Sequence, residues 1–122
     1  MTTPDLDRPE VRDLGDRYGI FVDASDVPAG FTQYVEHTEE DGTRVRIFPH
    51  TEVGEAFSGQ GLASTLVREA LDDSIASGWR IVPVCPYVKR WIDRHTGYEE
   101  HVVSATGKHL RALRGSMNGS TP

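Results

Sequence analysis

Sulfur, basic surplus and long apolar runs are all scarce in this 122-residue sequence, and each shortage removes a class of protein. A single cysteine, Cys85, excludes an internal disulfide. No apolar run approaches the roughly 20 residues that a bilayer crossing requires, and Met1 to Glu10 lack the basic, apolar and small-residue order of a signal peptide. A cytoplasmic protein with no membrane partner is therefore expected. Lys and Arg number 13 against 19 Asp and Glu, a net charge of −6. Nucleic-acid binding rests on cationic neutralisation of phosphates, so nucleic acid is not an expected partner. His37, His95, His101 and His109 form no HExxH or Cys/His array, and no metal site is expected.

What is present suits a globular domain: 26% of residues are charged and 37% hydrophobic. The length leaves room for one domain over 1–122, with a core at about 11–106 and a tail, 107–122, whose pattern demands no order. Val11 to Leu14 reads as a short strand and Tyr18 to Val22 as a buried one. The turn-rich run Asp23 to Gly30 returns the chain as Phe31 to His37, and Glu39 to Gly42 is a second tight turn before Val45, Ile47 and Phe48. Pro49 then interrupts that strand. Leu62, Ala63, Leu66, Val67, Ala70, Leu71 and Ile75 recur at three- and four-residue spacing, which predicts an amphipathic helix stopped by Gly78. Arg80 to Cys85 predicts an interior strand disturbed by Pro83, Pro86 opens a short helix ended by Gly97, and Tyr98 to Ala105 predicts a last strand.

Gly54, Gly59 and Gly61 thus precede the main helix. Its first N–H groups have no intrahelical partner and carry the positive end of the helix dipole, so an anionic ligand is expected there. Two common phosphate loops do not fit. A Walker loop needs a lysine where Gln60 follows Gly59, and a dinucleotide fingerprint needs a third glycine where Ser64 stands.

The order of meander, strand, GxG loop, helix, Pro-interrupted strand, helix and strand resembles the GCN5-related N-acetyltransferases. More narrowly, His50 to Val53, Gly59-Gln-Gly-Leu-Ala63, Gly78, Pro83-Val-Cys-Pro-Tyr-Val88, Arg94-His95 and Tyr98 look like the small YjdJ-type branch of that superfamily. The resemblance, covering roughly 11–104, implies an α/β (α+β) fold: a mixed, mainly antiparallel sheet splayed between the strands that flank a central helix. It also implies acetyl-CoA as co-substrate and N-acetyl transfer to a small-molecule or peptide amine. Carried over residue by residue, Gly59 and Gly61 lie on the pyrophosphate, with backbone donors around them from Phe57, Ser58, Gln60, Leu62 and Ala63. The strand Thr51 to Val53 pairs with the pantetheine amides, and the wedge between it and Arg80 to Cys85 admits the thioester. Ala56 departs from the Gln or Arg that the superfamily's loop carries there and removes one polar contact.

Three residues are candidates for the chemistry. Cys85 ends a strand just before a helix N-terminus, which suits a thiolate or an acid for the leaving thiolate; a buried cysteine equally serves as a small hydrophobe. Glu52 is a general base if strand alternation points it into the wedge while Thr51 and Val53 face away, and otherwise a solvated carboxylate. Tyr87 either reaches the departing sulfur or packs its helix, His50 suits proton transfer or bonds irregular backbone, and Trp91 and Ile92 read as core. Direct attack by the amine and an acetyl-Cys85 intermediate are both open. So is a rival from another class, a non-catalytic acyl-CoA-binding or interaction protein of the same fold.

Overall fold

Two breaks, one in each long strand of the central hairpin, divide the strands between two sheets. The computed structural model describes residues 9–22, 27–57 and 61–119. Strands β1 (Glu10–Asp13) and β2 (Arg17–Phe21) form an antiparallel hairpin, and β2 continues onto β3 (Gly30–Gln33). Beyond β3 the strand breaks at Tyr34, whose N–H is diverted to the Asp16 carbonyl (3.0 Å), and resumes as β4 (Val35–Thr38). A tight turn follows, closed by the Glu39 N–H on Thr43 (2.7 Å), with Gly42 at φ 91°, a conformation that favours glycine. The return strand breaks opposite the first break, at Pro49 and His50, into β5 (Arg44–Phe48) and β6 (Thr51–Val53). Two sheets result: β1-β2-β3-β6, wholly antiparallel, and β4-β5-β7, in which β7 (Arg80–Pro83) lies parallel to β5.

Helix α1 (Leu62–Ala76) lays Leu62, Leu66, Val67, Ala70, Leu71 and Ser74 on the sheets, while Arg68, Glu69, Asp72 and Asp73 stay exposed. It stops where Gly78 adopts φ 91° and the N–H groups of Gly78 and Trp79 bond Ile75 (3.0 Å) and Ser74 (2.9 Å). Helix α2 (Pro86–Arg94) begins with Pro86, which costs no hydrogen bond at the first turn, and buries Val88, Trp91 and Ile92.

Two expectations are corrected. Tyr98 to Ala105 is not a strand: a 3₁₀ turn, Glu99–His101, is followed by a single bridge from Val102 to Ile81. The Tyr98 hydroxyl donates to Asp72 (2.7 Å) and its carbonyl accepts the His101 N–H (2.9 Å), which curls the chain before it can run along β7. The stretch from 107 is also ordered, as helix α3 (Gly107–Gly119). It covers the second face of β4-β5-β7, where Leu113 packs with Val45, Ile47 and Val82. The helix start is held by a reciprocal cap, the His109 N–H on Thr106 Oγ1 (3.4 Å) and the Thr106 N–H on His109 Nδ1 (3.1 Å). Because Nδ1 accepts there, Nε2 carries the proton that bonds Glu39 (2.5 Å).

On the α1 side, the buried Arg46 joins four elements. Its Nη1 donates to the Tyr18 hydroxyl (2.7 Å) and Ser74 Oγ (3.1 Å), its Nε and Nη2 to Glu36 (3.1 and 2.8 Å), and its guanidinium lies 4.3 Å from the Tyr34 ring centroid. The planar fork makes all of these contacts at once, which a lysine ammonium cannot do. Arg46→Ala should lower stability by about 2–3 kcal/mol in urea unfolding, and Arg46→Lys should recover less than half; a lysine variant of parental stability would refute the network. Burial, and then acceptance of its proton by Asp73, push the Tyr18 pKa up to about 12 from 10.0. A folded-state pKa above the unfolded one means a contribution fully present below pH ~10 and lost as pH rises toward ~12. Tyr18→Phe should therefore flatten the alkaline fall in stability between those limits.

Candidate functional site

The wedge between β6 and β7 opens at one atom. The Phe48 carbonyl accepts the N–H groups of both Val84 (3.1 Å) and Cys85 (2.8 Å), and the register of β5 with β7 ends there, at Phe48 and Pro83. Among the described residues, strand β6 pairs with β3 and not with β7. Its free edge can be read from the register. Gln33 donates to the His50 carbonyl (2.8 Å) and Gly54 to Ala29 (2.8 Å), so in an antiparallel ladder Glu52 turns its backbone to β3. Thr51 and Val53 consequently turn their N–H and C=O groups to the open edge.

Side chains alternate the other way. Thr51 Oγ1 faces inward, bonded to Thr32 Oγ1 (2.8 Å) and receiving the Cys85 thiol (3.6 Å). Cys85 is 5% exposed and caps α2 with extended backbone, its carbonyl accepting the Lys89 N–H (3.1 Å). Glu52 does not enter the wedge: it is exposed and lies 3.3 Å from His50 Nε2. The two-residue break at Pro49 and His50 sets the phase of β6, which sequence alternation alone leaves free. His50 is likewise exposed, its ring centroid 5.9 Å from that of Phe31.

At the foot of the wedge, Gly61 caps α1 in the left-handed region (φ 75°), and among the described residues no side-chain cap bond is made there. The first helical bond is Thr65 N–H to the Gly61 carbonyl (3.3 Å), which leaves Leu62 and Ala63 with donors to offer. Phe57 has none, since its N–H is spent on Gly54 (2.9 Å). Ser58, Gly59 and Gln60 lie outside the described residues. Tyr87 is half-buried on α2; burial raises its pKa and the Arg94 charge opposes the rise. Two participants, Thr32 and Ser64, were not given a site role from the sequence, whereas His95 was read there as part of the family motif. Thr32 is fully buried beneath Thr51. Ser64 accepts the Trp91 indole N–H (2.9 Å), locking α2 to the first turn of α1, and His95 stacks on Trp91 at 3.8 Å. The i to i+4 spacing of Trp91 and His95 was the available signal.

Residues 17–102 match the family model described as GCN5-related N-acetyl-transferase. Among solved structures, the chain is similar to a ribosomal-protein-alanine N-acetyltransferase from Brucella melitensis biovar Abortus 2308, with 24% identity and a TM-score of 0.53 over 74% of this chain and 62% of that one. It also matches a transcriptional regulator from Bacillus halodurans C-125, with 14% identity and a TM-score of 0.43 over 88% of this chain and 61% of that one. The chain thus spans less than two thirds of the length of either. No curated protein sequence matches it.

A Cβ at Gly61 would meet no atom of the described residues within 4 Å, so the cost of replacing it lies in the backbone conformation. Gly61→Val should lose about 1–2 kcal/mol in urea unfolding, and Gly61→Asn, which tolerates that region, clearly less. Equal losses would show that crowding rather than φ governs the position.

Proposed function

The chain belongs to the GCN5-related N-acetyltransferase family, and on that premise we propose that it transfers an acetyl group from acetyl-CoA to an amine, as a member of the small YjdJ-type branch. The observation that carries the reading is the unpaired edge of β6 running from the α1 N-terminus to Cys85. Along it, the N–H groups of Leu62 and Ala63 suit the diphosphate, and the backbones of Thr51 and Val53 suit the amides of the pantetheine arm as an added strand. The thioester then reaches the level of Cys85 and Thr51. There the neutral amine attacks the carbonyl carbon, the N–C bond forms, the C–S bond breaks with its electron pair on sulfur, and the amine proton leaves to water or a base. Glu52, exposed and beside His50, would have to act from outside the wedge. That position favours water as the first proton acceptor. The same observation supports the second reading, a coenzyme-binding protein without transfer. Consumption of acetyl-CoA against a panel of amines and peptides separates the two.

Cys85 has three possible roles with different outcomes. An acetyl-cysteine intermediate requires that Cys85→Ser and Cys85→Ala both lose transfer and that only the parent yields a protein-bound acetyl group by mass spectrometry. As an acid for the departing sulfur, Cys85 would leave part of the rate to the serine variant and no acetyl-protein in any form. Packing alone leaves both variants near the parental rate. Direct attack with Cys85 as the acid is the outcome expected; acetyl-protein in the parent would overturn it.

A further inference from the structure

Residues Tyr87, Arg90, Trp91 and Arg94 fall at i, i+3, i+4 and i+7, one face of α2, and with Ser64 and His95 they line a cavity of about 360 Å³ beside the first turn of α1. The Trp91 bond to Ser64 holds that face against α1. Arg90 and Arg94 are exposed and form no ion pair among the described residues, in a chain whose net charge is −6. Arg68 of α1 brings a third guanidinium to the same place, 5.9 Å from the Trp91 ring centroid. Arg90 and Arg94 in the lining, with Arg68 close to the same indole and no carboxylate paired to Arg90 or Arg94 among the described residues, make this cavity a positively charged place that suits an anion.

We propose that Arg90 and Arg94 bind a phosphate monoester, the 3′-phosphate of coenzyme A, and so select the complete coenzyme over its dephosphorylated form. The inference rests on the coenzyme reading above. The 3′-phosphate hangs on the same ribose that carries the diphosphate, so a diphosphate on the first turn of α1 puts the monoester one sugar away. Ser64, the third residue of the helix, is itself part of the cavity's lining. Arginine suits the task because its fork meets two phosphate oxygens at once. On the other side of the ring stack, a carbonyl can only accept, so His95 Nδ1 carries the proton it shares with the Trp91 carbonyl (2.6 Å). The stacked ring is thereby held as a wall of the cavity.

Calorimetric titration of the full chain with coenzyme A and with 3′-dephospho-coenzyme A tests this. The parent should bind coenzyme A about tenfold or more tightly than the dephosphorylated form. In the Arg90→Gln, Arg94→Gln double variant that ratio should fall to near one, through loss of affinity for coenzyme A. Both positions are exposed, so the variant is expected to fold, and its thermal melt checks this. Equal binding of the two ligands by the parent, or a ratio that survives in the folded double variant, would overturn the arginine site and leave the coenzyme reading standing. Failure of the parent to bind either ligand would overturn both.

Discussion

The layout of this protein depends on one carbonyl. Phe48 C=O ends the β5–β7 ladder by accepting two N–H groups, Val84 and Cys85, so the last donors on the β7 side converge on one acceptor and none is left for the residues after Phe48. A sheet that cannot continue must part. Its parting leaves Thr51 and Val53 with backbone groups on an unpaired edge, a liability in most proteins because such an edge recruits other chains. Here the edge is only three residues long, which limits that risk and still suits an extended ligand.

Several contacts join the elements on the two sides of the wedge. Helix α1 lies across both sheets, so that β3 and β6 on one side and β7 on the other share a core with Leu66, Val67, Ala70 and Leu71. Trp91 ties α2 to α1 through Ser64, and Thr32, Thr51 and Cys85 form a short polar file from the interior of one sheet to the end of the other. These hydroxyls and the thiol partner one another, as buried polar groups must. Strand β5 is buried on both faces: Phe48 and Arg46 under α1, Val45 and Ile47 under α3. Without α3, the apolar residues Val45, Ile47 and Val82 would be left to solvent.

Local properties were readable from the chain. The period of α1, its stop at Gly78, the turn at Gly42 and the breaks at Pro49 and Pro83 depend on one residue's backbone or on neighbours within a turn of helix. The start of α3 was readable in principle as well, since Thr106 and His109 form the reciprocal cap usually signalled by a Glu or Gln at the third position. Histidine in that place hid it, and the Leu110–Leu113 pair was too short a stripe to be noticed.

The direction in which Glu52 points could not be read in the same way. Alternation says that Thr51 and Val53 share a face and Glu52 takes the other; it does not say which face is the wedge, because the break at Pro49 and His50 resets the phase and the pairing with Gly30 to Thr32 then sets it. Nor could the chain announce that Glu39 meets His109, 70 residues further on, or that Arg90 and Arg94 gather at the first turn of α1. Sequence carries the period of each element, since that depends on bonds within a few residues. The meeting of elements depends on which faces find cover, and that is settled only when α1 and α3 close on the two sides of β5.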